Sequence, residues 1–489
     1  ALAWGRHVND HRDAWGLVRD VNHPNIGLIL DSFHSLSRRV PSSSILDIRA
    51  EKLFIIQVAD APLLDMDPLY WSRHFRCMPG QGDFALTEWA EAVSRIGYQG
   101  YWSLEIFNDR FREGSATGVA TDGVRALRVM VDSIPEQSIA MRLPPKAAVS
   151  GIAFIEFAAT GDEAIALTAI LRGLGFTRTG QHIHKAVTRW QQGGINIVIN
   201  CEPEGFAHSF DEVHGGSVCA IGLSVQDVPL ALHRAEALDI PHFTQAVGPD
   251  ELQIPAVQGV GGSLIYFLPA GDEAHVWGHE FMPLDAEMPT TPLGLRGVDH
   301  VAQTMRYHEF LSWLLYYITL FDVSKTPQVE IADPLGLVLS QAVESPDKAL
   351  RITLNGALGQ DTLSSRFLHN YLGAGVQHIA FTCDDIFAAA AAAERNGLDM
   401  LPIPENYYED VEARFGLDAG LLASLRTGNI LYDRDGDAEY FQFYTRAFGK
   451  RIFFEVVERR DYQAYGAANA TIRLAAQSRY KAGTEQGEG

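Results

Sequence analysis

Two histidines occupy matching places in a repeated segment of this 489-residue chain: GVDHVA (Gly297 to Ala302) and GVQHIA (Gly375 to Ala380) put His300 and His378 78 positions apart. A lone histidine in an apolar strand is usually a satisfied core residue, but two at one place in pseudo-symmetric modules converge on a single cleft. Glu455, in RIFFEVVER and 77 positions beyond His378, is a carboxylate inside an apolar strand. Buried and unpaired it would be strongly destabilising, and a bound cation offsets that cost. Two imidazoles and a carboxylate with open positions make the facial triad of non-haem Fe(II) oxygenases. His300, His378 and Glu455 are therefore expected to hold Fe2+ or a similar divalent metal.

A second set of ligand-capable side chains lies upstream, each near the carboxyl end of an apolar run. NIGLILDSFH carries Asp31, LFIIQVAD carries Gln57 and GYWSLEIF carries Glu105. Converging at a barrel mouth they would supply three oxygen ligands, suited to Mg2+, Mn2+ or Co2+ rather than to a thiophilic metal. His34 follows Asp31 by three, and SRHFRCMPGQGDF places His74 and Arg76 before a Gly-rich turn, as active-site loops do.

The elements that must position these groups differ between the two halves. Residues 1–140 alternate apolar runs with helix-like stretches, the pattern of βα units around a parallel sheet whose chemistry sits at the carboxyl ends of the strands. A linker is expected at 141–150, where Pro, Ser and small residues lack periodicity. From 151 to 489 the chain repeats itself, with modules starting near 151, 218, 297 and 375. Each reads as a strand, an amphipathic helix and further strands, giving four βαβββ modules in two curved sheets. The expected class is thus an α/β partial TIM-type barrel followed by an α+β domain. Phe154 stands where His300 does and Ala220 where His378 does, so only the C-terminal pair of modules keeps ligands.

Composition narrows the partners. Lys plus Arg number 39 against 61 Asp plus Glu, a formal net charge of −22 that repels a phosphate backbone, so nucleic acid is not expected. Cys77, Cys201, Cys219 and Cys383 lie far apart without a CxxC pair, which fits a reducing cytoplasm. The most apolar stretch, Phe310 to Phe321, is too short to span a bilayer and reads as a buried helix, so no membrane association is expected. The opening ALAWGRHVNDHRD has no signal-peptide pattern. Self-association into a homo-oligomer is compatible with all of this.

The segments GVDH, GVQHIAF, ILYDRDGDAEYFQFYT and FFEVVER resemble 4-hydroxyphenylpyruvate dioxygenase and the vicinal oxygen chelate fold, from about 151 to 460. The resemblance implies that the triad binds Fe(II), that a 2-oxo acid chelates the iron beside O2, and that Gln442 lines the substrate pocket. The C-terminal helix that closes the pocket in that family, with a Gly-Asn-Phe segment, is not recognisable in AYGAANATIRLAAQSRYKAGTEQGEG. An unclosed pocket is therefore expected, and hydroxyphenylpyruvate turnover is not.

LDSFH, FIIQVAD, RHFR with PGQGDF, and SLEIF resemble the sugar-phosphate isomerase-like barrels, most closely bacterial 3-dehydroshikimate dehydratases, a class that includes fusions to a dioxygenase-like domain. That family has four metal ligands, Glu, Asp, Gln and Glu. Asp31, Gln57 and Glu105 match the last three, and the first is expected on a strand before Ala1, with the chain beginning inside the barrel. The implied reaction is dehydration of 3-dehydroshikimate to protocatechuate, with metal polarising the ketone. His34 is the candidate acid/base group, expected to titrate near neutrality. Arg76 is expected to hold the substrate carboxylate through paired hydrogen bonds, and His74 to assist binding. Two other readings stay open: a 2-oxo-acid dioxygenase with a remnant barrel, and a second domain that is a structural or dimerising metal module.

Overall fold

The computed structural model describes residues 2–135, 142–284, 290–449 and 452–484. The chain divides into two compact units: Ala1–Lys146 with Glu236–Asp239 and Leu311–Leu320, and Ala147–Ala235 with Ile240–Phe310 and Phe321–Gly489. The expected linker at 141–150 begins at a residue that, with 136–140, lies outside the described residues.

Short apolar runs in the first unit make three parallel strands, β1 (Leu28–Asp31), β2 (Leu53–Val58) and β3 (Trp102–Leu104), hydrogen-bonded in that order. Amphipathic helices alternate with them, including His11–Val21, Leu86–Arg95 and Ala116–Asp132. Trp15, Leu30, Ile56, Trp89 and Val93 form one buried cluster between sheet and helices. Acidic caps start the helices: Asp10 accepts from the backbone N–H groups of Arg12 and Asp13, and Asp31 from those of Phe33 and His34. Asp31 thus ends a strand and opens the helix Ser32–Leu36 at once.

The second unit contains two nine-stranded sheets. The first comprises β4 (Val149–Ala158), β5 (Thr177–His182), β6 (Val187–Gln192), β7 (Ile195–Asn200), β8 (Ser217–Val225), β9 (His242–Phe243), β10 (Ala256–Gln258), β11 (Leu264–Pro269) and β12 (Phe281–Pro283), in the order β12-β5-β6-β7-β4-β8-β11-β10-β9. The second comprises β13 (Leu295–Arg306), β14 (Ser324–Lys325), β15 (Val329–Asp333), β16 (Gly336–Glu344), β17 (Arg351–Ala357), β18 (Gly375–Cys383), β19 (Leu431–Asp435), β20 (Ala438–Tyr444) and β21 (Phe453–Arg460). Its order is β14-β16-β17-β13-β18-β21-β20-β19, with β15 paired to β16. Both centres repeat one arrangement: β4 against β8 and β13 against β18 are antiparallel, while β8 with β11 and β18 with β21 are parallel.

The apolar run from Phe310 supplies most of the helix Tyr307–Leu320, whose Phe310, Leu314, Tyr317 and Leu320 are fully buried. Among the described residues no helix is long and apolar enough to cross a membrane. One sequence expectation is corrected at the end of the chain. Ala467–Thr484 forms a helix, entered through Gly466 at φ +58, where a Cβ would come within 2.8 Å of Gln442 Oε1. Small and aliphatic residues here build the helix without the family's Gly-Asn-Phe signature, which hid it in the sequence.

Candidate functional site

Strand register explains why His300, His378 and Glu455 meet. Ala380 on the central strand β18 pairs with His300 of β13 on one side and with Glu455 of β21 on the other, and His378 pairs with Ala302. Directly paired residues share a face, as do residues two apart on one strand, so all three side chains emerge together. His300 Nε2 lies 3.2 Å from His378 Nε2. Glu455 Oε2 is 3.6 Å from His300 Nε2 and 3.4 Å from His378 Nε2. The centre of such a triangle is about 2.0 Å from each corner, the length of a bond from imidazole nitrogen or carboxylate oxygen to a first-row divalent metal. The donor set therefore fits a metal ion.

The surroundings prepare these atoms to bind one. His300 Nδ1 lies 2.7 Å from Asp299 Oδ1, a contact that places the Nδ1 proton toward the carboxylate and leaves the Nε2 lone pair facing inward. Asp299 in turn accepts two bonds from Arg459, at 2.7 and 2.8 Å, and one from Arg351 at 3.3 Å. Burial alone would raise the Asp299 carboxyl, but Arg459 and His300 hold it well below the usual carboxylate range. Burial, with His300 and Arg473 adding, pushes the His378 imidazole well below its ordinary value. Glu455 accepts from Tyr440 Oη at 3.2 Å, and burial raises its carboxyl against the opposing pull of His300 and Arg473. A bound metal would balance the charge of these buried groups.

A cavity of about 440 Å³ opens beside the triad. Ala467, Ala470, Arg473 and Leu474 of the C-terminal helix line it, so the pocket expected to lack a closing helix has one. Tyr407 Oη donates to Asn469 Oδ1 at 3.0 Å and anchors that helix. Gln442 stands behind Tyr444, a lining residue, and donates to its Oη at 2.6 Å; the Gln442 Oε1 is buried without a partner among the described residues.

In the first unit, Asp31 of β1 pairs with Gln57 of β2, and Gln57 with Ser103 of β3. Glu105 lies two residues past Ser103, so Asp31, Gln57 and Glu105 project from one face of three neighbouring strand ends. Arg76 draws the two carboxylates together: its Nη1 is 3.0 Å from Asp31 Oδ2 and 3.6 Å from Glu105 Oε2. Burial raises the Glu105 carboxyl, Arg76 opposes the rise, and Asp31 adds to it. Gln57 makes no side-chain hydrogen bond among the described residues. Three oxygen donors so placed fit a hard divalent cation, which would share the carboxylates with Arg76.

Two expectations for this site change. The Arg76 guanidinium, 1% exposed, is already engaged by Asp31, Glu105 O at 3.2 Å and Ser72 Oγ at 2.9 Å, and lies 4.7 Å from the Phe33 ring centroid. It neutralises the strand-end carboxylates and has no free fork for a substrate. His34 does not titrate near neutrality: burial pushes its imidazole down to about 4, with Asp31 opposing. Its Nδ1 accepts from the Ala3 N–H at 3.2 Å, and its Nε2 lies 3.5 Å from the Arg76 Nη2 donor and 3.7 Å from Asp31 Oδ2. His74, partly exposed at the end of the helix Pro68–His74, pairs with Asp109 at 2.7 Å.

Sequence reasoning missed Asp299, Arg459, Ser72, Tyr440 and Arg473. Two of these left a signal: Asp299 directly precedes His300, and Arg459 stands four residues after Glu455, on the same strand face.

Comparison with known proteins matches both units. Residues 2–130 match the xylose isomerase-like TIM barrel family, and residues 145–281 the N-terminal region of hydroxyphenylpyruvate dioxygenase. A 3-dehydroshikimate dehydratase of Pseudomonas putida is 44% identical over 497 residues, covering 99% of this chain and 78% of the relative. A 4-hydroxyphenylpyruvate dioxygenase of Pseudomonas aeruginosa is 30% identical over 323 residues, 65% of this chain and 90% of the relative. A solved xylose isomerase-like TIM barrel/4-hydroxyphenylpyruvate dioxygenase fusion protein superposes with a TM-score of 0.88 at 41% identity, covering 98% of this chain and 78% of the other.

Proposed function

The chain belongs to the family of 3-dehydroshikimate dehydratases that fuse a xylose isomerase-like barrel to a hydroxyphenylpyruvate dioxygenase-like domain, and on that premise we propose that it is a lyase that converts 3-dehydroshikimate to protocatechuate and water. Asp31, Gln57 and Glu105 form the barrel's metal site, taking Mg2+, Mn2+ or Co2+. A metal bound there supplies Lewis acidity at the substrate ketone, which acidifies the adjacent C–H. Loss of that proton and of the β-hydroxyl leaves a ring that aromatises. Arg76 holds Asp31 and Glu105 in place rather than binding the substrate carboxylate. His34, held neutral by burial, accepts the C–H proton and passes it to the departing hydroxyl, so that the two together leave as water.

The observation that carries this reading is the set of three oxygen donors on one face of adjacent strand ends, in a chain 44% identical to such a dehydratase. Protocatechuate formation from 3-dehydroshikimate, followed by the ultraviolet absorbance of the aromatic product, tests it. Turnover should disappear on chelation and return with Mn2+ or Co2+. Wild-type turnover in Asp31→Ala would refute the site assignment.

A second reading concerns the other domain. The geometry of His300, His378 and Glu455 supports a divalent metal such as Fe2+ with open positions for a 2-oxo acid. O2 consumption with oxo acids separates a dioxygenase from a structural metal module.

A further inference from the structure

Charge in the cavity beside the triad is unevenly matched. Of its other charged lining residues, Lys348 is paired with Glu344, which also accepts from Tyr465 Oη at 2.6 Å. Arg473 has no such partner. Among the described residues it makes one hydrogen bond, from Nη1 to Gln477 Oε1 at 3.0 Å, and no ion pair.

Position turns this cation toward the site. Its Cζ lies 4.9 Å from the Phe453 ring centroid and 5.7 Å from that of Tyr444. Phe453 in turn stacks on His378 at 4.8 Å with an interplanar angle of 18°. The guanidinium therefore sits one aromatic ring away from a metal-ligand imidazole, close enough for its charge to act on both His378 and Glu455.

Two imidazoles, one carboxylate and a divalent metal carry a net single positive charge, and Arg473 adds a second. A monoanionic oxo acid with an uncharged tail would leave the guanidinium partly desolvated and without a counter-charge. A second carboxylate would give it a planar, bidentate partner.

We propose that Arg473 sets the substrate class of the second domain: it binds the distal carboxylate of a dianionic 2-oxo acid whose oxo-carboxylate end faces His300, His378 and Glu455. This rests on reading the triad as a metal centre open to an oxo acid. Arg473 is a binding residue, and metal retention does not depend on it.

The test is titration of the cobalt(II)-loaded protein with 2-oxoglutarate, with 2-oxohexanoate as a monoanion of similar length, and with 4-hydroxyphenylpyruvate. Binding is read by calorimetry and by the visible absorption of cobalt, without reliance on turnover. Asp31→Ala, Glu105→Ala serves as background, so that only the second site is loaded. The diacid should bind at least tenfold more tightly than either monoanion. Arg473→Met should abolish that preference with cobalt stoichiometry unchanged, and Arg473→Lys should retain part of it. Equal affinities in the parent protein, or a preference that survives Arg473→Met, would overturn the proposal while leaving the metal centre intact. Failure of the second domain to hold cobalt would instead overturn the metal reading, and this proposal with it.

Discussion

Replacing Asp299 by Asn separates what a buried carboxylate does for the fold from what it does for the metal site. Asp299 is 5% exposed and in contact with His300, Arg459 and Arg351. Asn keeps the volume and one acceptor oxygen but removes the charge, so Arg459 loses its counter-ion while Arg351 keeps Glu344 at 3.7 Å. Breaking a buried pair of this kind costs about 3–5 kcal/mol. The metal effect comes through His300: with a weaker acceptor at Nδ1, the ring is less basic and its orientation is no longer fixed. Loss of such an outer partner typically lowers metal affinity roughly 10- to 100-fold, or about 1.4–2.7 kcal/mol. Arg459→Met is the control, because it costs stability in the same way but leaves the contact between Asp299 and His300. Affinity should be measured by competition with a chromophoric chelator in the Asp31→Ala, Glu105→Ala background, and stability by urea unfolding. Asp299→Asn should lower both quantities, whereas Arg459→Met should lower stability with affinity changed only a few-fold. If Asp299→Asn binds metal within twofold of its parent, the idea that Asp299 tunes His300 is wrong.

The barrel and its helices give three further tests. Asp31→Ala and Glu105→Ala should each abolish metal-dependent dehydration, whereas Gln57→Ala, which loses a neutral ligand, should weaken metal binding more mildly; steady-state rates across a Mn2+ titration distinguish them. Arg76→Met should destabilise the metal-free protein by about 3–5 kcal/mol, because Asp31 and Glu105 lose their shared counter-charge. Added Mn2+ should then raise the melting temperature of Arg76→Met more than that of the parent protein, and an equal rise would contradict the view that metal and guanidinium neutralise the same carboxylates. His11, held between Ser35 and Ser44, is pushed by burial from 6.5 to about 4, with Asp10 opposing. Between those pH values the unfolded chain binds more protons, so the contribution of His11 is fully present above pH 6.5. It is lost progressively as pH falls towards 4, by about 3 kcal/mol. Urea unfolding at pH 7.5 and 5 should show a smaller difference in His11→Gln than in the parent protein.

What could be read in the sequence and what could not divide along a physical line. His300 and His378 were legible because a repeat places them in register, and strand periodicity does the rest. Asp31, Gln57 and Glu105 were legible because polar side chains at the ends of apolar runs are rare enough to notice. The state of Arg76 was not, since its partners Asp31, Ser72 and the Glu105 carbonyl come from three separate segments and meet only in the fold. Nor was the pKa of His34, which depends on how completely the helix Ser32–Leu36 is buried. The closing helix Ala467–Thr484 escaped because recognition relied on a Gly-Asn-Phe segment, while the helix itself needs only small and aliphatic residues.

The first sheet of the second unit shows how little a metal centre differs from a filled core. Phe154 on β4 pairs with Gly222 on β8, and Gly222 pairs with Tyr266 on β11, the same register that joins His300, Ala380 and Glu455. Tyr266 therefore stands where Glu455 stands, a correspondence that the repeat alone did not reveal. The rings of Phe154 and Tyr266 are 5.9 Å apart, so aromatic contact occupies the place that ligands hold in the other sheet. The middle residue changes accordingly. A Cβ on Gly222 would come within 2.2 Å of the Phe154 ring, whereas the corresponding residue beside His300 is Ala380. An imidazole leaves room for that methyl group, and a phenyl ring lying over the strand does not. The first sheet thus differs from the second at four matched positions on three strands: Phe154 for His300, Ala220 for His378, Gly222 for Ala380 and Tyr266 for Glu455. The cavity left there, about 140 Å³ and walled by Phe154, Tyr266 and Trp277, is smaller than the one beside the triad, because rings fill the volume that metal, water and substrate need.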